Sequence, residues 1–182
     1  MSPDSPARPL GAGFPLDRPR RLVVLRHAKA VSEVGSGSDH GRVLTDRGRR
    51  DARKVAEQLA TIGWVPERVI ASNAARTLET WERMLERITG PIPLVASPRL
   101  YGGGPEELRE LVSAVPSEVH TVLVIGHNPG WEQVVAWLTG DLVPMGTANA
   151  ALLLRQAPSW ADALAPASFA LRAVLRPTEV GD

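Results

Sequence analysis

Two stretches of this sequence, Leu22-Val23-Val24-Leu25 and Val122-Leu123-Val124-Ile125, are apolar without interruption and rich in β-branched residues. A strand that buries one face alternates apolar and polar side chains, so a strand that does not alternate must be covered on both faces. The rest of the chain supplies that cover. Thr45 offers an N-cap for a helix to Thr61 that carries Ala52, Val55, Ala56 and Leu59 on one face. A strand over 68–71, a helix over 74–88 and a short strand over 93–96 follow, then a helix over 106–115 with Leu108, Leu111, Val112 and Val115 facing inward. Asn128-Pro129 reads as N-cap and first-turn proline of a helix to Leu138, and two late strands, 150–155 and 169–176, close the sheet. Such alternation predicts an α/β fold, a three-layer α/β/α sandwich with a mainly parallel sheet.

At 182 residues the chain fits one domain. Residues 1–20 hold five prolines and little apolar periodicity, which predicts a mobile N-terminal extension ahead of a single domain over 21–182. Lys+Arg 21 against Asp+Glu 20 leaves a net charge of +1 and argues against nucleic-acid or membrane partners. Recognition of an anion must then come from a local cluster. The chain has no cysteine, and its four histidines show no close-spaced ligand pair, so neither metal nor cofactor is expected. No apolar run approaches the roughly 18 residues of a membrane helix, and the N-terminus has no signal-peptide pattern, so the expected location is cytoplasmic.

In an open α/β sheet, ligands bind beyond the carboxyl ends of the strands. The first apolar strand runs into Arg26-His27 and the fourth into Gly126-His127-Asn128-Pro129, while Ser72-Asn73 leaves the second strand with Arg76 in the next helical turn. Two imidazoles and two guanidiniums thus converge on one rim from distant parts of the chain. Guanidinium forks and a helix N-terminus match phosphate oxygens, and a histidine beside them is placed for in-line attack on phosphorus. Fixed side-chain charge would neutralise the phosphoryl group without a metal ion.

Leu25-Arg-His-Ala-Lys29, Leu44-Thr-Asp-Arg-Gly48, Ser72-Asn-Ala-Ala-Arg-Thr77 and Ile125-Gly-His-Asn128, in this order, resemble the signatures of the histidine phosphatase (phosphoglycerate mutase-like) superfamily. The short chain, the Arg-His-Ala-Lys form and the Asp39…Arg42…Leu44-Thr45 loop resemble the SixA-type phosphohistidine phosphatases within it. The likeness spans residues 21–176. It implies a phosphoglycerate mutase-like fold, His27 as nucleophile through a phosphohistidine intermediate, and Arg26, Arg76 and His127 on the phosphoryl group. Lys29, Arg42 and Asn128 are further substrate-binding candidates. Ala28 stands where the superfamily usually has glycine. Larger relatives carry a glutamate as general acid two residues after a leucine, whereas here Leu100-Tyr101 leads to Gly102, which leaves Glu106 or Asp39 as substitutes.

A weak or missing acid matters most when the leaving group is a strong base. The conjugate acid of an alkoxide has a pKa near that of water, about 15.7, whereas imidazole protonates near about 6.5. The expected substrate is therefore phosphohistidine in a protein. The alternatives are small phosphomonoesters such as sugar or nucleotide phosphates, or a non-catalytic module that binds phosphate.

Overall fold

The computed structural model describes residues 18–33 and 37–177. The six strands are β1 (Arg18–Arg26), β2 (Arg68–Ser72), β3 (Leu94–Ser97), β4 (Thr121–Gly126), β5 (Ala150–Ala157) and β6 (Ala170–Leu175). They form one sheet in the order β3-β2-β4-β1-β5-β6. β1 to β4 run parallel, and β5 pairs antiparallel with both β1 and β6. The predicted mainly parallel α/β sandwich is the observed fold. Its helices are α1 (Asp46–Thr61), α2 (Ala75–Leu85), α3 (Pro105–Ser113), α4 (Gly130–Thr139) and the short α5 (Trp160–Ala163).

Strand periodicity sorts the core into two clusters. Leu22, Val24, Val122 and Val124 join the side chains of α3, α4 and α5 on one face. Val23, Leu25, Leu123 and Ile125 join those of α1 and α2 on the other. Each apolar run thus buries alternate residues in opposite directions, the physical reason it could not alternate in polarity. Thr45 caps α1 as expected, its hydroxyl accepting from Gly48 N at 3.0 Å.

Two expectations need correction. Residues 18–20, assigned to the extension, belong to β1: Arg18 pairs with Ala157, Pro19 with Gln156 and Arg20 with Arg155. β4 joins β1 only from Arg21 onward, so Pro19 sits where the strand has a neighbour on one side, the setting a strand proline tolerates. The rest of the expected extension, 1–17, lies outside the described residues. Asn128 is not an N-cap either. α4 begins at Gly130 behind Pro129, whose bond to Asn128 is cis, and Asn128 Nδ2 donates instead to Glu132 Oε1 and to the Met145 carbonyl, both at 2.9 Å.

Candidate active site

The parallel strands deliver their carboxyl ends to one rim. His27 follows β1 and His127 follows β4, and His27 N donates to the Gly126 carbonyl at 3.1 Å, which joins the two segments directly. Gly126 has to be glycine, because a Cβ there would sit 2.6 Å from the Trp131 ring. Trp131 is accordingly buried beneath the rim as core and is not a wall of the pocket. Ala28 has no positive φ, so nothing in its backbone calls for the glycine common at this place, and its N–H donates to Thr80 Oγ1 at 3.1 Å.

Arg26, His27, Lys29, Arg42, Arg76, His127 and Asn128, with Ala30 and Thr147, line a cavity of about 230 Å³. The two imidazole rings are 5.1 Å apart. His27 is 7% exposed, His127 8% and Arg76 6%. His27 Nδ1 lies 2.8 Å from the Ala28 carbonyl. A carbonyl can only accept, so Nδ1 carries the proton and Nε2 carries the lone pair. Arg76 Nε donates to that Nε2 at 3.3 Å. Burial, reinforced by the charges of Arg76, Arg26 and Arg42, pushes the His27 pKa down to about 4 against the opposing pull of the Ala28 hydrogen bond. His127 is pushed down to about 3 by burial first, then by His27 and Arg76. Both rings are neutral at pH 7.

His127 Nε2 and the Ser72 hydroxyl are hydrogen-bonded at 2.9 Å, while His127 Nδ1 is buried with no hydrogen-bond partner among the described residues. Arg26 Nη1 donates to the Met145 carbonyl at 2.9 Å, and Arg26 Nε, also buried, has no partner among them. Two unused ring and guanidine nitrogens beside a lone pair on nitrogen make a site for a tetrahedral oxyanion.

Asp39 is inside this constellation, yet it is not placed to supply a proton. Its carboxylate accepts from the Tyr101 hydroxyl, from Arg42 Nη1 at 2.9 Å and from Arg76 Nη2 at 3.1 Å. Tyr101 and Arg42, with Arg76, hold its carboxyl well below the usual carboxylate range. At neutral pH the group is an anion, which corrects its reading as a general acid. Glu106 is corrected as well: it is exposed in the first turn of α3 and does not line the cavity. Lys29 and Arg42 do line it, and Arg42 also donates from Nε to the Val31 carbonyl at 2.7 Å. Asn128 contributes wall, since both bonds of its Nδ2 go to the protein.

Sequence reasoning missed Tyr101 and Ser72 as parts of the site. The Tyr101 ring is 5.5 Å from that of His127 and 5.1 Å from that of His40, and the Arg76 guanidinium lies 5.7 Å from its centroid. The available signal was its position directly after Leu100, where only a carboxylate was sought. Among the described residues no group of three or more His, Asp or Glu side chains gathers as metal ligands, and no helix is long and apolar enough to cross a membrane.

Comparison with known proteins agrees with this geometry. The family model of the histidine phosphatase superfamily (branch 1) matches residues 22–102. An uncharacterized chloroplastic protein of Arabidopsis thaliana is 34% identical over 170 residues, 87% of this chain and 78% of that one. A solved Nakamurella multipartitia protein assigned as phosphohistidine phosphatase SixA is 31% identical and superposes with a TM-score of 0.78 over 88% of this chain and 97% of its own. Another protein so assigned, from Agrobacterium tumefaciens, is 26% identical, with a TM-score of 0.73 over 86% and 97%.

Proposed function

Because the chain belongs to the histidine phosphatase superfamily, SixA type, we propose that it hydrolyses phosphohistidine in proteins with His27 as nucleophile. The observation that carries this reading is the state of the His27 ring, whose Nδ1–H is tied to the Ala28 carbonyl and whose Nε2 lone pair accepts from Arg76 at the edge of a cationic cavity. In the first step Arg76 turns from Nε2 to the phosphoryl oxygens and Nε2 attacks phosphorus; the phosphorus–nitrogen bond of the substrate breaks, and its electron pair departs with a substrate ring already protonated on its other nitrogen, which therefore leaves as neutral imidazole. Arg26, Arg76 and the free Nδ1 of His127 take up the phosphoryl oxygens as charge develops on them. In the second step a water oxygen attacks phosphorus, the Nε2–phosphorus bond returns its electrons to His27, and the water gives up its protons to solvent and product. Side-chain charge does the neutralising in both steps.

The choice of phosphohistidine over an ester rests on the absence of an acid among the residues that line the cavity. Asp39 is held ionised and Glu106 stands outside, so a leaving group that needs no strong proton donor suits the site. The test is a comparison of kcat/KM on a phosphohistidine peptide and on an aryl or sugar phosphate. A clear preference for the peptide is expected, and preference for the ester would replace phosphohistidine by a phosphomonoester. Quenched turnover should also yield an acid-labile, base-stable phosphoenzyme. Binding with neither turnover nor phosphoenzyme would make the protein a phosphate-binding module.

A further inference from the structure

Beside the catalytic cavity lies a second and larger depression, about 380 Å³, between the outer face of α4 and the chain segment that follows it. Pro129, Ala136, Leu142, Val143 and Pro144 give it an apolar lining, with Glu132 and Gln133 at its polar side. We propose that this groove docks an apolar side chain next to the phosphohistidine of a polypeptide substrate, an inference that rests on the phosphohistidine reading above.

Consecutive residues form a wall that both depressions touch. Asn128 lines the catalytic cavity and Pro129, its neighbour, lines the groove. The wall is a hydrogen-bonded unit. Glu132 Oε1 accepts from Asn128 Nδ2 at 2.9 Å and from Met145 N at 2.8 Å, and the Met145 carbonyl accepts from Asn128 Nδ2 and from Arg26 Nη1, each at 2.9 Å. Arg26, proposed to hold the phosphoryl group, is thus fixed to the same carbonyl that anchors the groove's edge.

Size and chemistry supply the occupant. The catalytic cavity is small and lined by cations and imidazoles, so it takes a phosphoryl group and the ring that bears it, and the rest of a polypeptide must pass over its rim. Lys29 and Arg42 belong to that rim, and the apolar groove begins at Pro129, the residue next to Asn128 of the cavity. Leu142 at the groove's margin is 91% exposed, although α4 buries Trp131, Val134, Val135 and Leu138 on its inner face. An exposed leucine at an apolar hollow, bordered by the residue next to a site for a protein-borne group, fits an apolar flanking side chain. A free phosphohistidine or a small ester has nothing to place there.

The test uses two short synthetic peptides with a central phosphohistidine, one with leucine on both flanks and one with glycine, together with free phosphohistidine and an aryl phosphate. The intact protein should prefer the leucine peptide about tenfold in kcat/KM, mainly through KM. Leu142→Asp and Ala136→Glu should each erase that preference and leave free phosphohistidine and the aryl phosphate unchanged. Equal turnover of the two peptides, or variants that keep the preference, overturns the groove and leaves the phosphohistidine reading intact. Hydrolysis of the aryl phosphate alone overturns both. A dimer of the intact protein that Leu142→Asp dissociates, seen by sedimentation, assigns the groove to a second copy of this chain and also overturns the proposal.

Discussion

β1 carries a buried guanidinium near one end and a half-buried one at the other, and the two are treated in opposite ways. Arg20 is 1% exposed: its Nε donates to the Ala157 carbonyl at 3.1 Å, Nη1 to those of Ser117 and Val119 at 2.6 and 2.9 Å, and Nη2 to that of Pro158, with the Trp160 ring 5.8 Å away. Six residues along the strand, about 20 Å at 3.3 Å per residue, Arg26 gives the protein one such hydrogen bond and keeps Nε buried without a partner among the described residues. Arg20 is a charged group withdrawn from water, and at Arg26 one donor, Nε, is withdrawn too, a costly arrangement unless such donors are met. At Arg20 carbonyls meet them, and the residue staples the strand to its surroundings. At Arg26 the cost is left standing, which makes sense if an anion meets it during turnover. Arg76 lies between these extremes. All three of its nitrogens are engaged, but with Asp39 and with the nucleophile itself, partners that a phosphoryl group can replace.

This contrast can be broken by substitution. The largest expected effect is that of His27→Gln, which removes the attacking nitrogen. Phosphatase activity should fall at least about a thousandfold, roughly 4 kcal/mol of barrier. A variant within tenfold of the parent would show that another residue attacks. Arg76→Ala should cost about a hundredfold in kcat/KM, near 2.7 kcal/mol, and should weaken binding of phosphate or tungstate measured by calorimetry. Unchanged anion affinity would remove Arg76 from the phosphoryl site. Arg20→Met should do the reverse. Four carbonyls lose their donor, so urea unfolding should report a loss of about 3 kcal/mol, while kcat/KM well below the melting temperature stays within twofold. If Arg20→Met lowers activity as much as Arg76→Ala does, the division into staple and anion ligand fails.

The same contrast explains what the sequence could convey. Arg26 and His27 were legible because an unbroken apolar strand that runs straight into cationic residues marks a sheet rim, and the order of the four motifs fixed the superfamily. Arg20 was not legible. In a row of prolines and arginines it looked like a tail, since no local pattern announces that carbonyls from 97 to 138 positions away will receive it. Asp39 was correctly placed near the site but given the wrong protonation, because its state is set by Tyr101, 62 positions off, and by two arginines. No local pattern distinguishes Glu106 from any other carboxylate, and the helix that carries it turns it to solvent. Elements follow from periodicity along the chain, whereas the charge state of a group follows from neighbours that only the fold supplies.

The subtlest consequence separates the two ends of β1 by pH. An arginine does not titrate in the accessible range, but His27 does, with a folded pKa of about 4 against an ordinary 6.5. Below pH 6.5 the unfolded chain takes up this proton before the folded one, so stability is lost as pH falls from 6.5 towards 4, at up to about 1.4 kcal/mol per pH unit for one group. His127, held at about 3, adds a slope of the same sign. At pH 5 the two together should have cost about 4 kcal/mol relative to neutral pH, and His27→Gln should suffer only about half of that. Arg20→Met should show the full slope on its lower starting stability. Urea unfolding over this pH range reads all three proteins. Parallel curves for the parent and His27→Gln would mean that the ring is not held neutral by burial, and the poised lone pair on Nε2 would go with it.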